Sequence, residues 1–254
     1  MLWWLFLLVP ISYLIGGFNS ARSITQGIAK IDIEKIGSGN PGSTNVGRAM
    51  GLKWFFVVML MDMAKGALVA LIGLLFCGFY EQNVWTLAQY ESVEGLIIML
   101  SMGLSAMLGT MYPVWYKFKG GKGVATWIGI SFFINPYVML ITVGIFVPLL
   151  LITRMMSLTV LLGITFWAIT SVFTSQRYKS LFNPDAPLIS VPVLAVIILL
   201  YLGFMCLIFF SHRKNIRRLF RREEKEIQFR KTDWKPGDKI DEAEVPPSEE
   251  ASNG

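Results

Sequence analysis

Charge is scarce in this chain: Asp, Glu, Lys and Arg make up 16% of its 254 residues, histidine occurs once and cysteine twice. An ordinary soluble domain carries roughly 25% charged residues, so so low a share argues against one. One histidine and two cysteines are too few for a zinc or iron site, and no metal or other cofactor is expected. Cys77 and Cys206 fall in separate apolar runs whose predicted ends lie near opposite membrane faces, which argues against a disulfide. No internal repeat is evident.

What the chain has in excess is apolar sequence, 54% of its residues. It is gathered into runs at 1 to 18, 54 to 79, 95 to 116, 124 to 153, 155 to 175 and 186 to 211. Each is long enough for the ~20 residues that cross a hydrocarbon core. The first run has no basic residue before it and no small-x-small cleavage site after it, so it reads as a retained span and not a signal peptide.

Basic residues orient the spans. Arg22 is the first positive charge, which places the amino terminus outside and Arg22 inside. Residues 25 to 53 read as a long inner polar loop. Residues 80 to 94 carry Glu81, Glu91 and Glu94 without a Lys or Arg, as an outer loop should, and Lys117, Lys119 and Lys122 return inside. Read as one span, 124 to 153 would carry Arg154, His212 and the Arg-rich stretch after it outside, against the charge rule. A break at Asn135-Pro136, where proline cannot continue the hydrogen-bond ladder, restores parity. The expectation is an all-α integral membrane protein with seven transmembrane helices, amino terminus outside and carboxyl terminus cytoplasmic. Its fourth span has about 11 residues. Residues 176 to 187 dissent, lying outside yet carrying Arg177 and Lys179 against Asp185. Residues 1 to 226 form the membrane unit, and 227 to 254 read as a polar, disordered tail.

Four places could carry chemistry. Residues 37 to 48, GSGNPGSTNVGR, combine glycines whose amides can converge on an anion with Arg48, a bidentate phosphate grip. The plain alternative is a flexible connector. In FKGGKGVAT, 118 to 126, a glycine loop and Lys122 stand where a helix begins, a ready anion site. Lys122 is followed by Gly123 and not Ser or Thr, so this is no nucleotide-binding P-loop. The alternative is a basic anchor with a hinge. HRKNIRRL, 212 to 219, puts His212, Asn215 and Leu219 on one helical face with Arg218 nearby. An anchor for anionic lipid explains it equally well. Asp62 and Lys65, three apart in an apolar span, must face the bundle interior as a structural pair or touch substrate. Asn19, Ser20 and Arg22 can line the same cavity.

In order and spacing these segments resemble the bacterial acyl-phosphate:glycerol-3-phosphate acyltransferases, often called PlsY. The resemblance covers roughly residues 8 to 226 and includes Asp62 to Gly66 and Leu108-Gly109 to Pro113. It implies a bacterial inner-membrane enzyme whose cytoplasmic motifs pass an acyl group from acyl phosphate to glycerol 3-phosphate, making lysophosphatidic acid. Carried over residue by residue, Ser38, Lys122, His212 and Asn215 are the implied catalytic group. Gly39, Asn40, Gly42, Thr44, Asn45, Arg48, Gly120, Gly121, Gly123 and Thr126 would bind the phosphates, with Asp62, Lys65 and Glu224 in support. The implied partners are acyl phosphate, glycerol 3-phosphate and membrane lipid, with no nucleic acid. The chain departs from the common pattern at Thr110, where many members have His, at Ser43, commonly Ala, and at Gly47, commonly Leu. The histidine missing at 110 cannot be an indispensable base here.

Ile216, four residues after the only histidine, excludes the His-x4-Asp motif of acyl-CoA acyltransferases, and no Ser/His/Asp set is evident. An acyl phosphate is already an activated anhydride, so positioning and charge stabilisation can lower most of the barrier. Lys122 and Arg48 are expected to hold the phosphates and Asn45 and Ser38 to orient the acceptor, while either His212 or a substrate phosphate takes the proton. Rival readings are an organic-phosphate transporter and a lipid-binding scaffold; the first lacks an inverted repeat, and the second leaves Gly37 to Arg48 unexplained. A phosphatidyl-alcohol transferase is disfavoured because no span carries the regularly spaced Asp set that divalent metals require.

Overall fold

The computed structural model describes residues 6–81, 93–182, 189–224, 226–229, 233–235, 238 and 240. Its regular structure there is entirely helical: α1 (Leu8–Gly16), α2 (Ser20–Ile24), α3 (Ser43–Met50), α4 (Leu52–Glu81), α5 (Val93–Met111), α6 (Val124–Ile134), α7 (Pro136–Thr153), α8 (Met156–Phe182), α9 (Val191–Ser211) and α10 (Arg213–Arg221). Five stretches are long and apolar enough to cross a membrane: Leu52–Phe76 in α4, Gly95–Tyr116 from α5 into the turn after it, Pro136–Thr153 in α7, Met156–Thr174 in α8 and Val191–Ser211 in α9. An apolar chain in lipid must satisfy its own backbone polar groups, and a helix does so within each segment. The expected outer loop at 80 to 94 lies largely outside the described residues, as does the side chain of Cys77; the loop expected at 176 to 187 is helix α8 as far as Phe182, and the rest of it lies outside them. Cys206 is a free, exposed thiol.

Two apolar helices are short. The described part of the first run forms only the 9 residues of α1, and α6 has 11. The expected break after α6 is present: Asn135 accepts the Val138 N–H at 3.2 Å as a helix cap, Pro136 starts α7 where its missing N–H costs nothing, and the Asn135 amide donates to the Thr174 hydroxyl at 2.8 Å. Residues 25 to 53 are not the long loop expected from their polarity. A π-turn at Thr25–Ala29, a 3-10 turn at Ile33–Lys35 and α3 occupy much of them. Local polarity hid these elements because their apolar residues, Ile33, Ile36, Val46 and Met50, are few and pack against Ala21 and Val58 from elsewhere in the chain.

The helices cross closely where glycine permits. A β-carbon on Gly16 or Gly109 would collide with the backbone of the partner helix between α1 and α5, and one on Gly66 or Gly129 would do so between α4 and α6. Small residues that let helix backbones approach are a main source of adhesion in lipid, where burial of apolar surface supplies little. Trp127, Trp167, Tyr201 and Phe204 are fully buried and join α6, α8 and α9, with Trp167 edge-on to the other three rings at 5.2 to 5.7 Å.

Asp62 and Lys65 form a pair at 3.0 Å inside the bundle. Asp62 also accepts from the Ser20 hydroxyl at 2.8 Å, and Lys65 donates to the Phe18 carbonyl at 2.9 Å. The charges are thereby satisfied while clamping α4 to the α1–α2 junction, which is the structural alternative of the two read from sequence.

The described residues beyond Glu226 do not behave as the disordered tail expected from their polarity. Ile227, Phe229, Asp233, Trp234 and Ile240 fold back onto α3, α4 and the end of α7. Composition averages over the segment, whereas a few aromatic and aliphatic side chains do the docking.

Candidate active site

Every long helix has one end in the same region. The final turns of α1, α5, α7 and α9 and the first turns of α4, α6 and α8 are tied there by Thr110 to Gly16 and Thr126, Arg154 to Ile227, Ser157 to Glu224, Lys53 to Asp233, and Ser211 to Lys122. The three polar segments meet at this end.

In the first, Gly37 and Gly39 take φ values of 58° and 66°, left-handed backbone that glycine adopts without strain. The loop is tied by Asn45, which is 1% exposed. Its amide donates to the Ile33 and Ile36 carbonyls at 3.1 and 2.8 Å, and its oxygen accepts the Ser38 N–H at 3.0 Å. Both amide protons are spent within the loop, so Asn45 shapes it and does not reach an acceptor as expected. Ser38 is exposed, Asn40, Gly42 and Thr44 are partly exposed, and no hydrogen bond joins these side chains to Lys122 or Asn215.

The second segment doubles back beside the last turn of α5. Gly121 N–H donates to the Thr110 carbonyl at 3.0 Å, and Gly120 sits where any β-carbon would strike the Pro113 ring and nearby backbone. Gly123, at φ 76°, opens α6. Thr126 is buried with its hydroxyl 3.1 Å from that of Thr110, which also lies 3.0 Å from the Gly16 and Ala106 carbonyls. Thr126 therefore links helices and is not turned to a phosphate as its motif position implied. Thr110, where the resemblance leads one to expect His, belongs to the same helix contact.

The sequence marked Asn19 and Arg22 only as possible lining. They staple the two glycine loops. Asn19 caps α2 and donates to the Pro41 carbonyl at 3.4 Å, while Arg22 is 3% exposed, donates to the Lys119 carbonyl at 2.8 Å, pairs with Glu34 at 2.9 Å and lies over the Tyr116 ring.

The third segment supplies a relay. Lys122 donates to the Asn215 oxygen at 2.6 Å. The Asn215 amide donates to Glu224 at 2.8 Å, Arg218 Nε donates to the other carboxylate oxygen at 2.8 Å, and the Ser157 hydroxyl also donates to Glu224. Glu224 ties Asn215 and Arg218 of α10 to Ser157 of α8, and Asn215 holds the lysine. Ser157 was missed because it opens an apolar helix with no motif around it.

The charges bear on one another. Burial pushes the Lys122 ammonium down to about 8, opposed by Glu224 and assisted by Arg218 and Arg48. Arg48 is likewise lowered, first by burial. Burial raises the Glu224 carboxyl, but hydrogen bonds from Ser157, Asn215 and Arg218 outweigh it and hold the group below its ordinary value. His212 is 2% exposed; burial, then the charge of Lys122, take it down to about 3, so the ring is neutral. Its Nδ1 lies 2.8 Å from the Ile208 carbonyl, which can only accept, so Nδ1 carries the proton and Nε2 the lone pair. Arg218 and Glu224 pair at 2.8 Å, while Lys122 and Arg48 have no ion-pair partner among the described residues.

Similarity to known proteins runs along nearly the whole chain. Residues 6–222 match the family model described as glycerol-3-phosphate acyltransferase. The glycerol-3-phosphate acyltransferase of Macrococcus caseolyticus is 35% identical over 227 residues, covering 89% of this chain and 98% of the relative. That of Aquifex aeolicus is 34% identical, covering 84% and 93%. Crystal structures of PlsY, an integral membrane glycerol 3-phosphate acyltransferase, superpose with TM-scores of 0.65 for the glycerol 3-phosphate form (30% identity, 88% of this chain and 96% of that one) and 0.61 for the lysophosphatidic acid form (28% identity, 87% and 94%).

Proposed function

Because the chain belongs to the glycerol-3-phosphate acyltransferase family of the PlsY kind, a multi-pass membrane protein, we propose that it takes its acyl group from acyl phosphate and transfers it to glycerol 3-phosphate. The observation that carries this reading is the meeting of Arg48, Lys122, His212, Asn215, Arg218 and Glu224 at one end of an apolar helical bundle. An interfacial site lets a lipid-tailed donor arrive from the membrane while the soluble acceptor arrives from water. The acceptor has no acyl chain to anchor it, so its affinity must come from its phosphate and hydroxyls; we assign that phosphate to Arg48 and place Lys122 where charge builds on the leaving phosphate. The glycine loop from Gly37 to Thr44, with Gly120, Gly121 and Gly123 beside it, receives the donor phosphate.

The acceptor hydroxyl attacks the acyl carbonyl carbon, the bond from that carbon to the phosphate oxygen breaks, and inorganic phosphate leaves with the new ester as lysophosphatidic acid. The hydroxyl proton passes to a phosphate oxygen. A phosphate dianion with a pKa of about 6 is a far stronger base than an imidazole held near 3. His212 is then a neutral hydrogen-bonding partner through Nε2, and His212→Gln is expected to keep at least about a tenth of wild-type kcat, since a true general base contributes about 10² to 10⁴. A loss of about a thousandfold in a stopped assay would return the base to His212.

Membrane placement follows the alternation of helix ends. We propose seven crossings, α1 and α6 counted with the five longer spans, within a membrane unit of 1 to 226, and, on the basic residues at the site end, an amino terminus outside and a site on the cytoplasmic face of the bacterial inner membrane. The test of the donor is purified protein in detergent with labelled glycerol 3-phosphate and, in parallel, acyl phosphate, acyl-CoA or acyl carrier protein thioester. Acylated product is expected with acyl phosphate alone; product from a thioester and none from acyl phosphate would refute the donor assignment.

A further inference from the structure

The family match ends at residue 222, yet described residues beyond it, Ile227, Phe229, Asp233, Trp234 and Ile240, dock at the site end of the bundle. Ile227 N–H donates to the Arg154 carbonyl at 2.7 Å, at the close of α7. Beyond it, the Phe229 ring lies 4.9 Å from the Phe55 ring and rests on α3, its edge 2.6 Å from where a β-carbon on Gly47 would stand. Position 47, where this chain has no side chain, is thus covered by a ring from its own carboxyl-terminal segment.

Trp234 makes the second attachment. It is 6% exposed, its N–H donates to the Met50 carbonyl at 2.8 Å, and its own carbonyl accepts from the Trp54 indole at 3.2 Å. The two indoles meet edge-on at 6.1 Å. Asp233 caps the start of α4 through the Lys53 N–H at 3.0 Å, and the Trp234 indole N–H donates to the Asp238 carbonyl at 3.0 Å. Ile240 closes the same apolar cluster.

Gly47 and Met50 bracket Arg48 within a single turn. With 8 residues α3 is shorter than the ~12 to 15 at which isolated helices become even marginal, so its orientation comes from what packs on it. Its Val46, Ala49 and Met50 share one apolar cluster with Ala21, Ile33, Val58 and Trp234, and Phe229 covers Gly47.

We propose that Phe229 and Trp234 are positioning residues that strap α3 to the bundle: they hold Arg48 within the field of Lys122, and so set the affinity for the acceptor phosphate. The proposal rests on the reading of Arg48 as a ligand of glycerol 3-phosphate. A displacement of about 1 Å at such a group is enough to cost a large factor in binding or rate.

The test uses the full chain in detergent with Trp234→Ala, Trp234→Phe, Phe229→Ala, Arg48→Ala and the double variant Arg48→Ala/Trp234→Ala. Trp234→Ala and Phe229→Ala are expected to raise KM for glycerol 3-phosphate about tenfold with kcat within about twofold, because uniform binding is lost and not chemistry. Trp234→Phe restores KM to within about twofold, and Trp234→Ala adds nothing once Arg48 is gone, as coupled residues behave in a double-mutant cycle. Hydrogen exchange over residues 43 to 50 rises in both alanine variants. Unchanged exchange and unchanged KM overturn the strap. So does a KM increase that persists undiminished in the Arg48→Ala background, or a fall in kcat and melting temperature with KM unmoved. Raised exchange with unchanged KM, together with an Arg48→Ala variant of normal KM, instead overturns the phosphate role of Arg48.

Discussion

Replacing Lys122 by methionine is expected to lower kcat by about 10² to 10³, the usual effect of removing one preorganised charge from a developing anion. It should do so without unfolding the protein. The ammonium is held by Asn215 at 2.6 Å, and burial takes its pKa from 10.5 to about 8. The folded protein therefore binds this proton less tightly than the unfolded chain does. With that sign, the buried charge opposes folding below about pH 8, and the penalty is relieved as pH rises from about 8 toward 10.5. Lys122→Met removes the charge altogether, so its melting temperature at neutral pH should equal or exceed that of the wild type while turnover collapses. The same titration shapes the wild-type pH profile: kcat/KM for glycerol 3-phosphate should hold up to about pH 8 and then fall as the ammonium is lost. Lys122→Arg, which stays charged, should move that falling limb beyond the measured range. A Lys122→Met protein with near-normal turnover would remove the lysine from the mechanism.

Arg48→Ala is expected to raise KM for glycerol 3-phosphate by about 30 to 100-fold, equivalent to the roughly 2 to 3 kcal/mol of a charge-assisted hydrogen-bond pair. Arg48 makes no hydrogen bond or ion pair among the described residues, yet it stands within the field of Glu224 and Arg218. A cation with no such partner adds little to holding the fold together. The melting temperature should consequently move little. Arg48→Lys should recover only part of the loss, because an ammonium cannot reproduce the planar fork. Initial-rate kinetics at saturating donor separate this from a defect in chemistry: equal KM in Arg48→Ala and wild type would sink the assignment.

The relation between motif and role was legible to different depths. Lys122 and Asn215, 93 residues apart, could be proposed as partners only because they share a family pattern; their hydrogen bond exists because α9 returns to the face where α6 begins. Asn45 and Thr126 stood within motifs and read as ligands, but one ties its own loop and the other joins two helices. A polar side chain in a motif looks the same in sequence whether it binds substrate or satisfies a buried carbonyl. Ser157 and the docking of Phe229 and Trp234 had no local signal at all, since each depends on a partner distant in the chain.

The sequence by itself determined the class of the molecule and the inventory of its chemistry. Long apolar runs have one stable answer in lipid, the helix, and the scarcity of charge and histidine left only phosphate-binding groups to build a site from. Even the break at Asn135-Pro136 was readable, because proline's missing N–H acts on its immediate neighbours. The tertiary structure alone decided which of those groups remain available. Pairing is a matter of distance: Glu224 claims Arg218, Glu34 claims Arg22 and Asp62 claims Lys65, while Arg48 and Lys122 have no ion-pair partner among the described residues.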